Sequence, residues 1–112
     1  MKLEELVNET KVAAALGYLA GSDETYAAMK SDVQRTEWLA KLSEAFAYKG
    51  IGVGSVEDRK AEAKMSPTVG KAWDAHFDAI AAFEKVKATR ERAILTTELW
   101  RSLNANRRVG NV

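Results

Sequence analysis

The chain reads as an all-α protein: an elongated helical hairpin of two long helices plus short helices, built to form oligomers. Three observations predict this. No segment alternates apolar and polar residues over five or more positions, so no strand is expected. Between Gly70 and Asn104 no helix breaker occurs, which leaves room for a long helix. The apolar positions of the long segments change face along their length, which one intrachain partner does not cover.

The 112 residues fit one helical domain, 1–112. A first helix is expected over 3–19, weakened by Gly17 and stopped at Gly21. Ser22 and Asp23 then cap a second helix over 22–48, with Lys49 in its last turn and Gly50 as its stop. On this helix Tyr26, Met29 and Val33 share one face. Trp38, Leu39, Leu42, Ala45 and Phe46 lie nearly opposite. Either the helix bends near Ser31 or its ends pack on different partners, and a second subunit would supply the extra one.

The alternating glycines of Gly50-Ile51-Gly52-Val53-Gly54-Ser55 predict a turn over 50–55. Ser55 and Asp58 then resemble a capping box opening a short polar helix over 56–65. Ser66-Pro67 restarts the chain as a long helix over 67–104, because Pro at the first helical position gives up no hydrogen bond. Val69, Ala72, Trp73, His76, Phe77, Ile80 and Phe83 form its stripe, while Leu99, Trp100 and Leu103 lie on another side. Residues 105–112 are expected as a frayed polar tail. At about 1.5 Å per residue the two long helices would reach about 40 and 55 Å, more than one small chain can cover with its own apolar surface.

Composition narrows the chemistry. With no Cys, there is no disulfide framework, thiol nucleophile or Cys-based zinc site. The glycine run lacks the Gly-Lys-Ser/Thr of a phosphate loop and follows a helix rather than a strand. His76 is the lone histidine and sits on the apolar stripe, so it reads as a packing residue. Carboxylates are scattered and often paired, as in Lys87–Glu91 and Glu98–Arg101. No acid/base pair stands out, and we expect no enzyme, no cofactor and no metal.

The net charge of +1 hides an asymmetry. Residues 1–58 carry six Lys/Arg against ten Asp/Glu, and residues 59–112 carry eleven against six. Opposite halves can attract each other within one domain or between subunits. They can also present a basic face to nucleic acid, since each cation on a phosphate releases counterions. The candidate nucleic-acid-binding residues are Arg59, Lys60, Lys64, Lys85, Lys87, Arg90, Arg92, Arg101, Arg107 and Arg108, with Trp100, and Trp73 if exposed, as stacking aromatics. Lys87 and Arg90 interrupt the apolar stripe, as at the start of a charged channel or subunit contact. The acidic, amphipathic start and the lack of any apolar run near about 20 residues point away from a secretory signal or membrane span, so a cytoplasmic protein is expected.

Two stretches carry a resemblance: Glu98-Leu99-Trp100-Arg101-Ser102-Leu103-Asn104-Ala105-Asn106-Arg107-Arg108, and Gly54-Ser55-Val56-Glu57-Asp58-Arg59-Lys60-Ala61 before the Ser66-Pro67 helix. Together they resemble small helical proteins of tailed bacteriophages, from replication and recombination modules. The plan of an acidic Met-Lys-Leu-Glu-Glu-Leu start, a long helix, a basic connector and another long helix is similar to the UvsY-type recombination mediators. The resemblance implies a viral protein in the host cytoplasm that forms homo-oligomers and binds single-stranded DNA. It also implies a recombinase or single-strand-binding protein as partner. Two alternatives stand beside it: a small phage protein that modulates a host or phage protein, such as a defence inhibitor, and an oligomeric structural or assembly protein.

Overall fold

The computed structural model describes residues 2–110, except for the side chains of residues 3, 4 and 108–110. Four helices occur in order: α1 (Leu3–Leu6), α2 (Glu9–Gly50), α3 (Val56–Lys64) and α4 (Pro67–Gly110). The described residues hold no strand, so the protein is all-α, with two long and two short helices. Contacts sort the chain into two compact units. Unit 1 comprises Met1–Tyr26 and Lys85–Val112; unit 2 comprises Ala27–Glu84.

In unit 1 the helix break falls at residues 7–8 and not at Gly21. The Asn8 side chain accepts from the Lys11 backbone N–H at 2.9 Å, capping α2, while Val7 is buried beside it. The expected helices over 3–19 and 22–48 are therefore one helix from Glu9 onward. Gly17 and Gly21 each cost about 1 kcal/mol against Ala in a helix, and packing outweighs them. Ser22, expected as a cap, instead lies buried within α2. Its Oγ lies 3.5 Å from the Leu19 carbonyl oxygen and accepts from Arg90 of α4 at 2.6 Å. Val12, Ala15 and Ala93 complete the small core of this unit.

The α4 helix continues past Asn104 to Gly110, so the stretch expected as a frayed tail is helical through that point. Leu103 and Asn104 are half-buried. Asn104 and Ala105 line a depression with Val12 and Leu16 of α2. Asn111 and Val112 lie outside the described residues.

Unit 2 is a helical hairpin with α3 at its turn. The chain leaves α2 after Gly50 and reverses through residues 51–55. Gly54 sits at φ +112°, a conformation an L side chain rarely adopts. Ser55 caps α3 by accepting from the Asp58 N–H at 3.1 Å. Met65 closes α3, and the Ser66 carbonyl accepts from Gly70 N–H in the first turn of α4. Ala40, Ala63, Val69 and His76 are its buried residues. The His76 Nδ1 lies 3.0 Å from Thr36 Oγ1, so the lone histidine is a hydrogen-bonded core residue. Trp73 is half-buried, and its Nε1 donates to Glu44 at 2.6 Å; the indole is tied to α2.

Both cores consist of small residues, and Val69 is the largest side chain that is almost wholly buried. The larger apolar groups remain in part outside. Trp38, Leu39 and Phe46 of α2, together with Phe77 of α4, are exposed. The α2 helix runs unbroken through Ser31, so the change of apolar face occurs within one helix.

Candidate nucleic-acid interface

The expected basic residues do not share one face. At about 100° per residue, Lys85, Arg92 and Arg107 fall within about 60° of each other on α4. Lys87 and Arg101 lie on the opposite flank, beside the row Glu84, Glu91 and Glu98. That second flank is a mixed-charge surface. Arg107 is exposed, and the side chain of Arg108 lies outside the described residues.

Arg90 falls within about 20° of Arg101 by the same rotation, but it is not part of the exposed surface. Its guanidinium turns inward, leaving the side chain 17% exposed. It donates to the Leu19 carbonyl at 3.0 Å, to Ser22 Oγ at 2.6 Å and to Asp23 at 2.8 Å, and stands over the Tyr26 ring at 4.9 Å. The interruption of the apolar stripe is thus an intrachain clamp. Arg59 is similarly engaged: it lies over the Tyr48 ring at 5.0 Å, with its Nε buried and without a hydrogen-bond partner. Trp100 is half-buried and lines a depression with Val12, Leu16 and Arg101, so it packs as much as it presents a ring.

Four of the remaining cations gather into two depressions, one in each unit. In unit 1, Lys85, Val86, Ala88, Thr89 and Arg92 of α4 and Tyr18 of α2 line a space of about 450 Å³. Lys85 and Arg92 are exposed, and no carboxylate is among the lining residues. Thr89 orders the pair. Its Oγ1 donates to the Lys85 carbonyl at 3.0 Å and accepts from Arg92 Nη2 at 3.2 Å. Four N–H groups of that guanidinium are left to serve an oxyanion.

In unit 2, Lys41, Glu44, Ala45 and Tyr48 of α2 face Lys60, Ala63 and Lys64 of α3 across about 400 Å³. Lys60 and Lys64 stand one turn apart. The one carboxylate of this lining, Glu44, already accepts from the Trp73 indole. Lys41 is paired with Glu37 at 2.9 Å. That hydrogen bond, followed by the charge of Lys41, holds the Glu37 carboxyl below the usual carboxylate range.

Three of these residues were not singled out from the sequence: Tyr18, Lys41 and Tyr48. Lys41 and Tyr48 are seven apart, two turns along one helix face, which is a readable spacing. Their meeting with Lys60 and Lys64 depends on how α3 folds back, which spacing does not encode.

The fold and these depressions define the protein as an all-α chain that presents lysine, arginine and tyrosine in shallow, open clefts. Among the described residues, no group of three His, Asp or Glu side chains is placed to hold a metal ion. No helix among the described residues is long and apolar enough to cross a membrane. No family model matches the chain, nor does any curated protein or solved structure.

Proposed function

We propose that this is a non-enzymatic accessory protein that binds single-stranded DNA in recombination or replication, in the manner of a mediator. One observation carries the reading: in each unit a pair of exposed cations, Lys85 with Arg92 and Lys60 with Lys64, shares a cleft with a tyrosine, and the lining carboxylate, where there is one, already accepts a hydrogen bond. Phosphates need the cations, and unpaired bases need an aromatic surface. Shallow open clefts suit a flexible strand better than a rigid duplex. The likeness of the C-terminal run to phage recombination-module proteins supports the same reading.

Anisotropy of a labelled single-stranded oligonucleotide, titrated over a range of salt, tests it. Binding should weaken steeply as salt rises, with a log–log slope of about −0.7 per phosphate contact. Lys60→Ala with Lys64→Ala, and Lys85→Ala with Arg92→Ala, should each weaken binding and flatten that slope by about 1.4. Arg90→Ala should leave the slope unchanged in folded protein. Failure to bind at low salt would rule out the proposal.

A further inference from the structure

The outer face of α2 in unit 2 carries an apolar surface that the clefts do not use. Phe46 is 66% exposed, Trp38 61% and Leu39 46%. Two concavities flank Phe46. One, of about 510 Å³, is lined by Leu39, Leu42 and Val69 among others. The other, of about 600 Å³, includes Ile51, Met65 and Pro67. Phe46, Ala47 and Ser66 line both, so they form the ridge between two grooves. The first groove has no ionisable lining residue, and the second has Glu62 alone. Such a surface has no attraction for a polyanion.

We propose that this face docks on the same face of a second copy of the chain, across a two-fold axis. Two arguments select that occupant. The first is area. The chain exposes 8366 Å², whereas a folded monomer of 12.3 kDa exposes about 6,100 Å². The excess, about 2,300 Å² over both units, is larger than the roughly 800 Å² that each partner buries in a stable contact. The second is shape. A ridge between two grooves is self-complementary under a two-fold axis: the Phe46 ridge of each copy enters a groove of the other, as isologous contacts require. The exposed Phe46 on the ridge is a residue type enriched at such contacts.

Self-docking and nucleic-acid binding use different flanks of α2. At about 100° per residue, Lys41 and Tyr48 lie on the side opposite Leu39, Ser43 and Phe46. The inference therefore stands whether or not the clefts bind a strand.

The test is solution mass by light scattering on a sizing column, without nucleic acid, for wild type, Phe46→Glu and the control Lys30→Glu, an exposed position on the opposite side of α2. Wild type and Lys30→Glu should run at twice the chain mass. Phe46→Glu should run at the chain mass with its helical circular dichroism kept, and its self-association should be weaker by at least about a hundredfold, because docking would bury an unpaired charge in each copy. A monomeric wild type overturns the proposal. So does a Phe46→Glu protein that is folded and still associated, because the contact would then lie elsewhere. Hydroxyl-radical footprinting of the wild type supplies a readout independent of any variant. Leu39 and Phe46 should be protected in the wild type, and reactivity as high as that of a fully exposed side chain would overturn the proposal.

Discussion

Replacing Arg90 with Ala should destabilise the protein by about 3 kcal/mol, and each part of that figure comes from a named contact. The hydrogen bonds to Ser22 Oγ and the Leu19 carbonyl are made by a mostly buried head. Discounted for partial exposure, together they contribute about 2 kcal/mol. The Tyr26 ring beneath the guanidinium adds about 0.5–1 kcal/mol. Asp23 is mostly exposed, so its ion pair adds at most about 0.5 kcal/mol. With an unfolding entropy of about 2.1 cal/mol/K per residue, the sum corresponds to a fall in Tm of about 13 °C. The assay is thermal unfolding followed by circular dichroism at one fixed protein concentration, since self-association would itself shift the midpoint. Arg90→Lys should not restore the loss, because a single ammonium cannot serve Ser22, Leu19 and Asp23 in a fork. A double-mutant cycle with Ser22→Ala should return a coupling of about 1 kcal/mol. An Arg90→Ala protein within about 0.5 kcal/mol of wild type, the range of ordinary surface changes, would refute the clamp and return Arg90 to the candidate DNA-binding cations.

Other perturbations separate backbone effects from charge effects. A Cβ at Gly21 of α2 would meet no atom within 4 Å, so Gly21→Ala should raise stability by up to about 1 kcal/mol. By contrast, Gly54→Ala should lower it by about 1–2 kcal/mol through its positive φ, and both are read from urea unfolding. Acid should weaken unit 2 through Glu37. Its folded pKa lies below its unfolded one, so its contribution is present above the unfolded value and lost as pH falls through the folded value. Glu37→Gln should therefore flatten the acid-side decline in Tm, and parallel declines in the two proteins would show that the Lys41 contact has no weight in solution.

The starts of α3 and α4 are legible in the sequence because their signals are local. Ser55 reaches only to Asp58, and Pro67 follows the residue whose carbonyl begins the helix. The two-sided apolar pattern of α2 is legible for the same reason, since Trp38, Leu39 and Phe46 sit opposite Met29 and Val33 whatever packs around them. The stop at Gly21 is not what forms, and the cause is remote. Ser22 looks like a cap until an arginine 68 residues away is placed on it. A side-chain hydroxyl serves equally at a helix start or as an acceptor within a helix, and only the partner decides. The same limit holds for the clefts. Lys60 and Lys64 can be listed from the sequence, but their cleft also needs Lys41 and Tyr48, which approach only because the glycine turn brings α3 back along α2.

The two proposals reinforce each other through valency. A single cleft with two or three cations and one tyrosine would hold a strand weakly, and its grip would fall quickly with salt. Joining two copies at the Phe46 ridge leaves both Lys41–Tyr48 flanks outside the contact and places their clefts on one rigid body. A strand held by one copy then meets the second cleft at an effective concentration that no free cleft would supply, provided the strand spans the distance. Breaking the ridge should consequently weaken binding to long oligonucleotides far more than to short ones that fill a single cleft. Removing Lys60 and Lys64 should weaken binding to both. That difference in length dependence is what separates an assembly defect from the loss of phosphate contacts.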